Sequence, residues 1–572
     1  MATRTWRIPT PAGVVALGAL ALACTGVIED GEGKNGSPGG PGSGSGAGSG
    51  AGTGNPPGTQ IPLAEDPGRK DMHRLNSAEY NATVLDVLGT TLQPANASWR
   101  GGEIEGFDNI ATQLGIDDTQ YERYFNAADA LAEEVFASPD LKGRYVTCAT
   151  VDDAACVQGI ISNAGLHIFR RPLTQEEVGT YYKGYQAARA LGDDHDLSLK
   201  VVLRGLLSSA EFLYRIEFDP DPTSNVPHPV AAYELASRLS YFLWSSAPDD
   251  TLLGAAADNS ITTDAGLIAA VDRMLTDGKA SRLIENFSGQ WLGARQVMNH
   301  AADATIYPTW NPELAAASSR EVYQYFAEFL LTERSWLDFL KADINFVEAP
   351  LAALYGVTAP TPGRMEITTD NRAGYFGLAG FLANSSMAAR TSPTLRGRWI
   401  LINMLCVHPE PPPANVPELE DSVDVAALSV RERLEAHRAN PACAGCHSVI
   451  DPYGLALEQF DGIGAYRTAY ADGTVIDAST TLPPLESYPQ GTSFTGLAGL
   501  ADTVTQDPKF TSCVGEKLLT YGLGRVMGDT DKPYLTAVRD EWVAQGTPSL
   551  RSLIRSLVLS DPFRLRRGET AN

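Results

Sequence analysis

The chain has 572 residues, with 69 acidic against 44 basic side chains and a formal charge of −25 at neutral pH. That acidic excess excludes the phosphate-backbone grip of a nucleic-acid binder. The length allows three or more domains.

The N-terminus opens with Arg4 and Arg7, then an apolar run from Ala12 to Ala23. This reads as an export signal, being shorter than the roughly 20 apolar residues of a membrane-spanning helix. Leu20-Ala21-Leu22-Ala23-Cys24 resembles a bacterial lipobox, with Ala21 where Leu is usual. Residues 1–24 are therefore expected to be a lipoprotein-type signal peptide, with Cys24 the lipid-bearing first residue of the mature chain. The alternative is an ordinary cleaved signal with an incidental cysteine. Residues 25–68 form the expected tether, and 31–58 are almost entirely Gly, Ser and Pro. Thr25 is not the Asp of an inner-membrane retention signal. The expected location is the periplasm or cell surface, anchored to the outer membrane by lipid alone.

Helical periodicity dominates the remainder of the chain. Tyr124, Ala128, Leu131 and Val135 share one helical face. Ala232, Leu235, Leu239 and Phe242 repeat the pattern, as do Ile284, Phe287 and Trp291. Further stripes are Val322, Tyr325, Phe326, Phe329 and Leu330, then Leu553, Ile554, Leu557 and Val558. Thr174 with Glu176 and Glu177 marks a helix start with acid in its first turn. No stretch reads as a sheet. The expected class is mostly α: a multidomain helical body followed by a C-terminal helical module. The two are separated by the polyproline segment 408–417.

The sharpest motif is Cys443-Ala444-Gly445-Cys446-His447. C-x-x-C-H is the attachment signature of a c-type haem. Two thiols one turn apart form thioethers to the haem vinyl groups, and the adjacent imidazole takes the iron from the proximal side. One covalent haem c is thus expected on Cys443 and Cys446, with His447 as proximal iron ligand. Pro452 is the candidate carbonyl to hold the other nitrogen of that imidazole. Met527, the sole methionine downstream of the motif, is the first candidate for the distal ligand. His437 is the alternative, with His408 and Met404 as further rivals and an open iron face remaining. Asp451, Glu458, Asp461 and Arg467 either shape the propionate surroundings or form an ion-pair network, and Arg396 and Arg398 carry the same ambiguity. A zinc site would use Cys443, Cys446, Cys406 and either His408 or His447. The four cysteines left over in an exported chain suggest disulfides. Cys148–Cys156 closes a short loop, and Cys406–Cys513 would span the haem motif, among three possible pairings.

Several segments together resemble known families. HRLNSAEYNATVLDVLG (73–89) with EGFDN (105–109) resembles domain of unknown function 1587. FRRPLTQEEV (169–178) resembles family 1595. SSAEFLYRIE (208–217), YELASRLSYFLWSSAPDDTLL (233–253) and ENFSGQWLG (285–293) resemble family 1592. RTSPTLRGRWILINMLC (390–406) with NPACAGCHSVIDPYGLALEQFDGIGAYR (440–467) resembles family 1588. CVGEKLLTYGLGR (513–525) and LIRSLVLSDPFR (553–564) resemble family 1585. The series is that of multidomain cytochrome c-like proteins of planctomycetes and myxobacteria. It implies domains at 69–145, 146–216, 217–360, 361–470 (haem attachment) and 471–572, and it names no substrate.

The expected role is electron transfer at the cell envelope, with a redox protein or a small electron donor or acceptor as partner. One alternative is a haem-dependent, peroxidase-like oxidoreductase with an open iron site. The other is a surface binding module without haem, held by zinc or disulfides. Nucleic acid is not an expected partner.

Overall fold

Polar N-caps set the helix starts, and apolar stripes decide which faces turn inward. The computed structural model describes residues 66–68, 72–95, 99, 101–148, 150–220, 226–359, 363–366, 372–410 and 429–567. The expected signal, Cys24 and nearly all of the expected tether lie outside the described residues, as does most of the polyproline segment.

The longer helices, in chain order, are α1 (Ser77–Leu88), α2 (Asp118–Ala137), α3 (Ala154–Ile168), α4 (Gln175–Ala190) and α5 (His195–Leu207). Next come α6 (Ala232–Trp244), α7 (Asp264–Thr276), α8 (Pro312–Leu331), α9 (Pro393–Met404), α10 (Val430–Arg438) and α11 (Pro441–Leu455). The series ends with α12 (Gly496–Gln506), α13 (Pro508–Leu523), α14 (Lys532–Ala544) and α15 (Leu550–Leu559). The fold is mostly α. Strands are short and pair as four antiparallel ribbons, which the sequence pattern does not reveal. In chain order these are β1 (His73–Arg74), β2 (Tyr214–Arg215), β3 (His228–Pro229), β4 (Ile344–Phe346), β5 (Arg364–Glu366), β6 (Ser479–Leu482), β7 (Thr492–Thr495) and β8 (Leu565–Arg566). Two- to four-residue ladders carry too little alternation to be read from sequence.

The expected helix start at Thr174 is present. Its hydroxyl accepts from the Glu177 backbone N–H while the Glu177 carboxylate accepts from that of Thr174, a capping box. Arg171 clamps the same carboxylate at 2.7 and 3.0 Å. The stripe Tyr124, Ala128, Leu131, Val135 is buried on α2, and Val322, Tyr325, Phe326, Phe329, Leu330 on α8. Ile284, Phe287 and Trp291 are buried too, but Ile284–Ser288 is one π-helical turn, a local widening of the helix.

Two large apolar cores result. One joins residues from Leu75 to Leu213, with Tyr241 reaching in from α6. The other runs from Val230 to Phe563, and Phe107 and Ile110 insert into it from the N-terminal segment. A single core therefore takes side chains from both sides of the polyproline segment, including Ile400 of α9, Tyr453 of α11 and Leu518 of α13. The expected break there is a break in sequence character; packing continues across it. Among the described residues no helix is long and apolar enough to cross a membrane.

Cys148–Cys156 and Cys406–Cys513 both form disulfides, with Cα atoms 5.9 and 5.2 Å apart. The second spans 107 residues and ties the end of α9 to α13.

Candidate cofactor site

The site is built where α11 lies against α9. Ser392 caps α9, accepting from the Leu395 N–H, and Pro393 fills the first turn, where no N–H partner is needed. The two helices meet through glycines. A Cβ on Gly397 would overlap the Ile450 carbonyl, and one on Gly454 would overlap the Pro393 backbone. Only residues lacking a side chain allow this approach.

Arg396 locks the same contact from within. Its side chain is fully buried. It donates to the carbonyls of Leu457 (2.7 Å), Phe460 (3.0 Å) and Asp461 (2.8 Å) and to the Ser386 hydroxyl (3.1 Å). Burial pulls its pKa down to about 10, opposed by the nearby Glu458 carboxylate. Arg396 thus holds the segment after α11 in shape. Glu458 is also buried and accepts from Thr391 at 2.9 Å, Tyr470 at 3.2 Å and Arg467 at 3.4 Å. Asp461 accepts from the backbone N–H groups of Ile463 and Ala465. Arg398 is exposed. Apart from Arg398, the charged residues around the motif therefore form an internal network, with one exception.

That exception is Asp451. Its side chain is 0% exposed, and its two oxygens lie 3.1 and 3.2 Å from Nδ1 of His447. Four residues apart on α11, the two occupy the same helix face. The Thr394 hydroxyl donates to Asp451 Oδ1 at 2.8 Å. The expected Pro452 carbonyl does not hold this imidazole: Pro452 lies inside α11 and its carbonyl accepts from Ala456 N–H at 3.4 Å. A carbonyl directed along a helix axis cannot turn back to a side chain one turn earlier.

Cys443 is half-buried and Cys446 exposed, and both are free thiols. They share the first turns of α11 with His447, whose side chain is 22% exposed. With Nδ1 engaged by Asp451, Nε2 of His447 makes no hydrogen bond among the described residues. Two free thiols beside an imidazole with one nitrogen fixed and the other available are a donor set that suits covalent haem attachment.

The distal candidates are spread widely. The His437 ring, on α10, lies 4.6 Å from the His447 ring, edge to face. Burial and then the neighbouring His447 hold its pKa below the ordinary imidazole value. Met527 is not brought to the motif. Asp507, which caps α13, acts electrostatically on Tyr453 of α11. Met527 follows the other end of that 16-residue helix, about 24 Å along its axis. There Gly524 packs on His73. Met404 is buried in the large core, and His408 is exposed and pairs with Glu105 at 3.0 Å.

The zinc set fails on one ligand. Cys406 is bonded to Cys513 and has no thiolate to offer. No cluster of three or more metal-ligating side chains occurs among the described residues.

Sequence places Asp451 near the motif without revealing its bond to His447. The i, i+4 spacing is the signal available along the chain. That the carboxylate is buried and anchored by Thr394 is visible only in the fold.

Comparison with known families finds five matches in series, each described as a protein of unknown function: DUF1587 at residues 73–137, DUF1595 at 156–217, DUF1592 at 230–357, DUF1588 at 372–470 and DUF1585 at 490–563. No curated protein and no solved structure matches the chain.

Proposed function

This chain belongs to the proteins that carry DUF1587, DUF1595, DUF1592, DUF1588 and DUF1585 in series, and on that footing we propose that it is an exported c-type haem protein serving electron transfer at the cell envelope. The observation that carries the reading is local to α11: two free thiols at Cys443 and Cys446, followed by an imidazole whose Nδ1 is held by a buried carboxylate. In this reading Cys443 and Cys446 hold the haem as thioethers and His447 binds its iron. The bound haem supplies a one-electron couple. Asp451 fixes the ring orientation of His447, and the α9–α11 contact keeps Asp451 in place. Export and lipid attachment at Cys24 belong to the same proposal. Two disulfides in the folded part suit an oxidising compartment.

A second reading keeps the haem but leaves one iron face open for small-molecule oxidation. The placement of Met527 beyond the far end of α13 favours it, because the first distal candidate then stays away.

The test is a denaturing gel stained for haem, run on protein exported with haem-maturation machinery, beside C443A, C446A and the double variant. Stain in the wild type and its loss when both cysteines are replaced is the expected result. A folded, colourless wild type refutes the proposal. The reduced absorption spectrum then separates a six-coordinate carrier from an open-site enzyme.

A further inference from the structure

We propose that Asp451 is the positioning residue that sets the electron-donating strength of His447, and so biases a haem bound there toward its oxidised state. The inference rests on the haem reading and deepens it.

Four observations lead to it. Asp451 carries its carboxylate at 0% exposure, so water does not screen it. Both oxygens face the same ring nitrogen at nearly equal distance, 3.1 and 3.2 Å. Its partners among the described residues are the imidazole and the Thr394 hydroxyl, the latter at 2.8 Å. No Lys or Arg side chain forms an ion pair with it among those residues. Finally, the carboxylate cannot swing away: Thr394 sits in the first turn of α9, and α9 is pressed on α11 at Gly397 and Gly454.

The consequences are electrostatic. A buried carboxylate accepting from Nδ1–H draws that proton toward itself and makes Nε2 the stronger donor. Oxidised iron carries one more positive charge than reduced iron. A fixed negative charge behind the ligand therefore stabilises the oxidised form, and it does so strongly in a weakly polarisable surrounding. Reduction by any one-electron donor becomes harder, and donation onward to a one-electron acceptor easier. A carbonyl in the same place would orient the ring without adding a charge.

The experiment is an equilibrium redox titration of haem-loaded protein, with mediators, for the wild type, D451N, D451A and T394V. D451N keeps the shape and an acceptor but removes the charge. Its midpoint is expected to rise by at least a tenfold shift in the oxidised-to-reduced ratio, about 59 mV for one electron. D451A should shift at least as far; T394V, which takes a donor from the carboxylate but keeps its charge, should not raise the midpoint. T394V and D451N keep the test decisive if D451A fails to fold. A merely structural role for Asp451 would lower the unfolding midpoint and leave the potential where it was; that outcome overturns the inference while the haem stain still supports the haem. A wild type without covalent haem overturns both.

Discussion

Glu321 on α8 is fully buried, and its carboxylate accepts from the Tyr355 hydroxyl at 2.7 and 2.8 Å and from the Ala379 N–H at 3.2 Å. Burial drives its pKa up from 4.5 to about 7, against the lowering effects of Tyr355 and Arg372. The guanidinium of Arg372 lies over the Tyr355 ring, 3.9 Å from its centre. Below pH 4.5 the carboxyl is protonated in both folded and unfolded chains, and its stabilising share is fully present. As pH rises from there through 7, the unfolded chain ionises first and that share is lost. A shift of this size corresponds to about 3 kcal/mol, lost between those two pH values. Glu321→Gln mimics the neutral form, since an amide can accept from Ala379 N–H and donate to the Tyr355 oxygen. Urea unfolding of both proteins at pH 4.5 and pH 8 measures the effect. Wild type is expected to lose about 3 kcal/mol more than E321Q over that range. Equal losses in the two proteins would refute the reasoning.

Other outcomes rest on the same packing. Replacing Cys406 and Cys513 together by Ser opens a loop of 107 residues, which should cost about 4–5 kcal/mol in denaturant unfolding; an unchanged midpoint would deny the bond. Gly454→Ala forces a methyl group against the Pro393 backbone and should lower stability by about 1–3 kcal/mol, read as a drop in thermal midpoint. In haem-loaded protein, M527A should leave the absorption spectrum unchanged. H437A should alter it, because His437 already touches His447; the opposite pair of results would return Met527 to the iron.

Much of this protein is legible along the chain. The apolar stripes of α2, α8 and α15 appear in sequence because a helix repeats every 3.6 residues and buries one face. Cys443, Cys446 and His447 stand out as candidates for a related reason: the proposed haem attachment on one helix turn would need fixed spacing, and fixed spacing is a sequence property. The short ribbons leave no mark, since two to four paired residues do not build a pattern.

The sequence by itself therefore determined the helical class, the order of the family segments and the identity of the candidate attachment residues, because each depends on neighbours within about one or two helix turns. Tertiary structure alone decided what surrounds them. It joined both sides of the polyproline segment in one core, took Cys406 out of any metal site and set Met527 beyond the far end of α13. It also placed Asp451, secured by Thr394 from another helix, behind His447. Those relations join residues tens to hundreds of positions apart, and burial of shared surface, which local periodicity does not encode, brings them together.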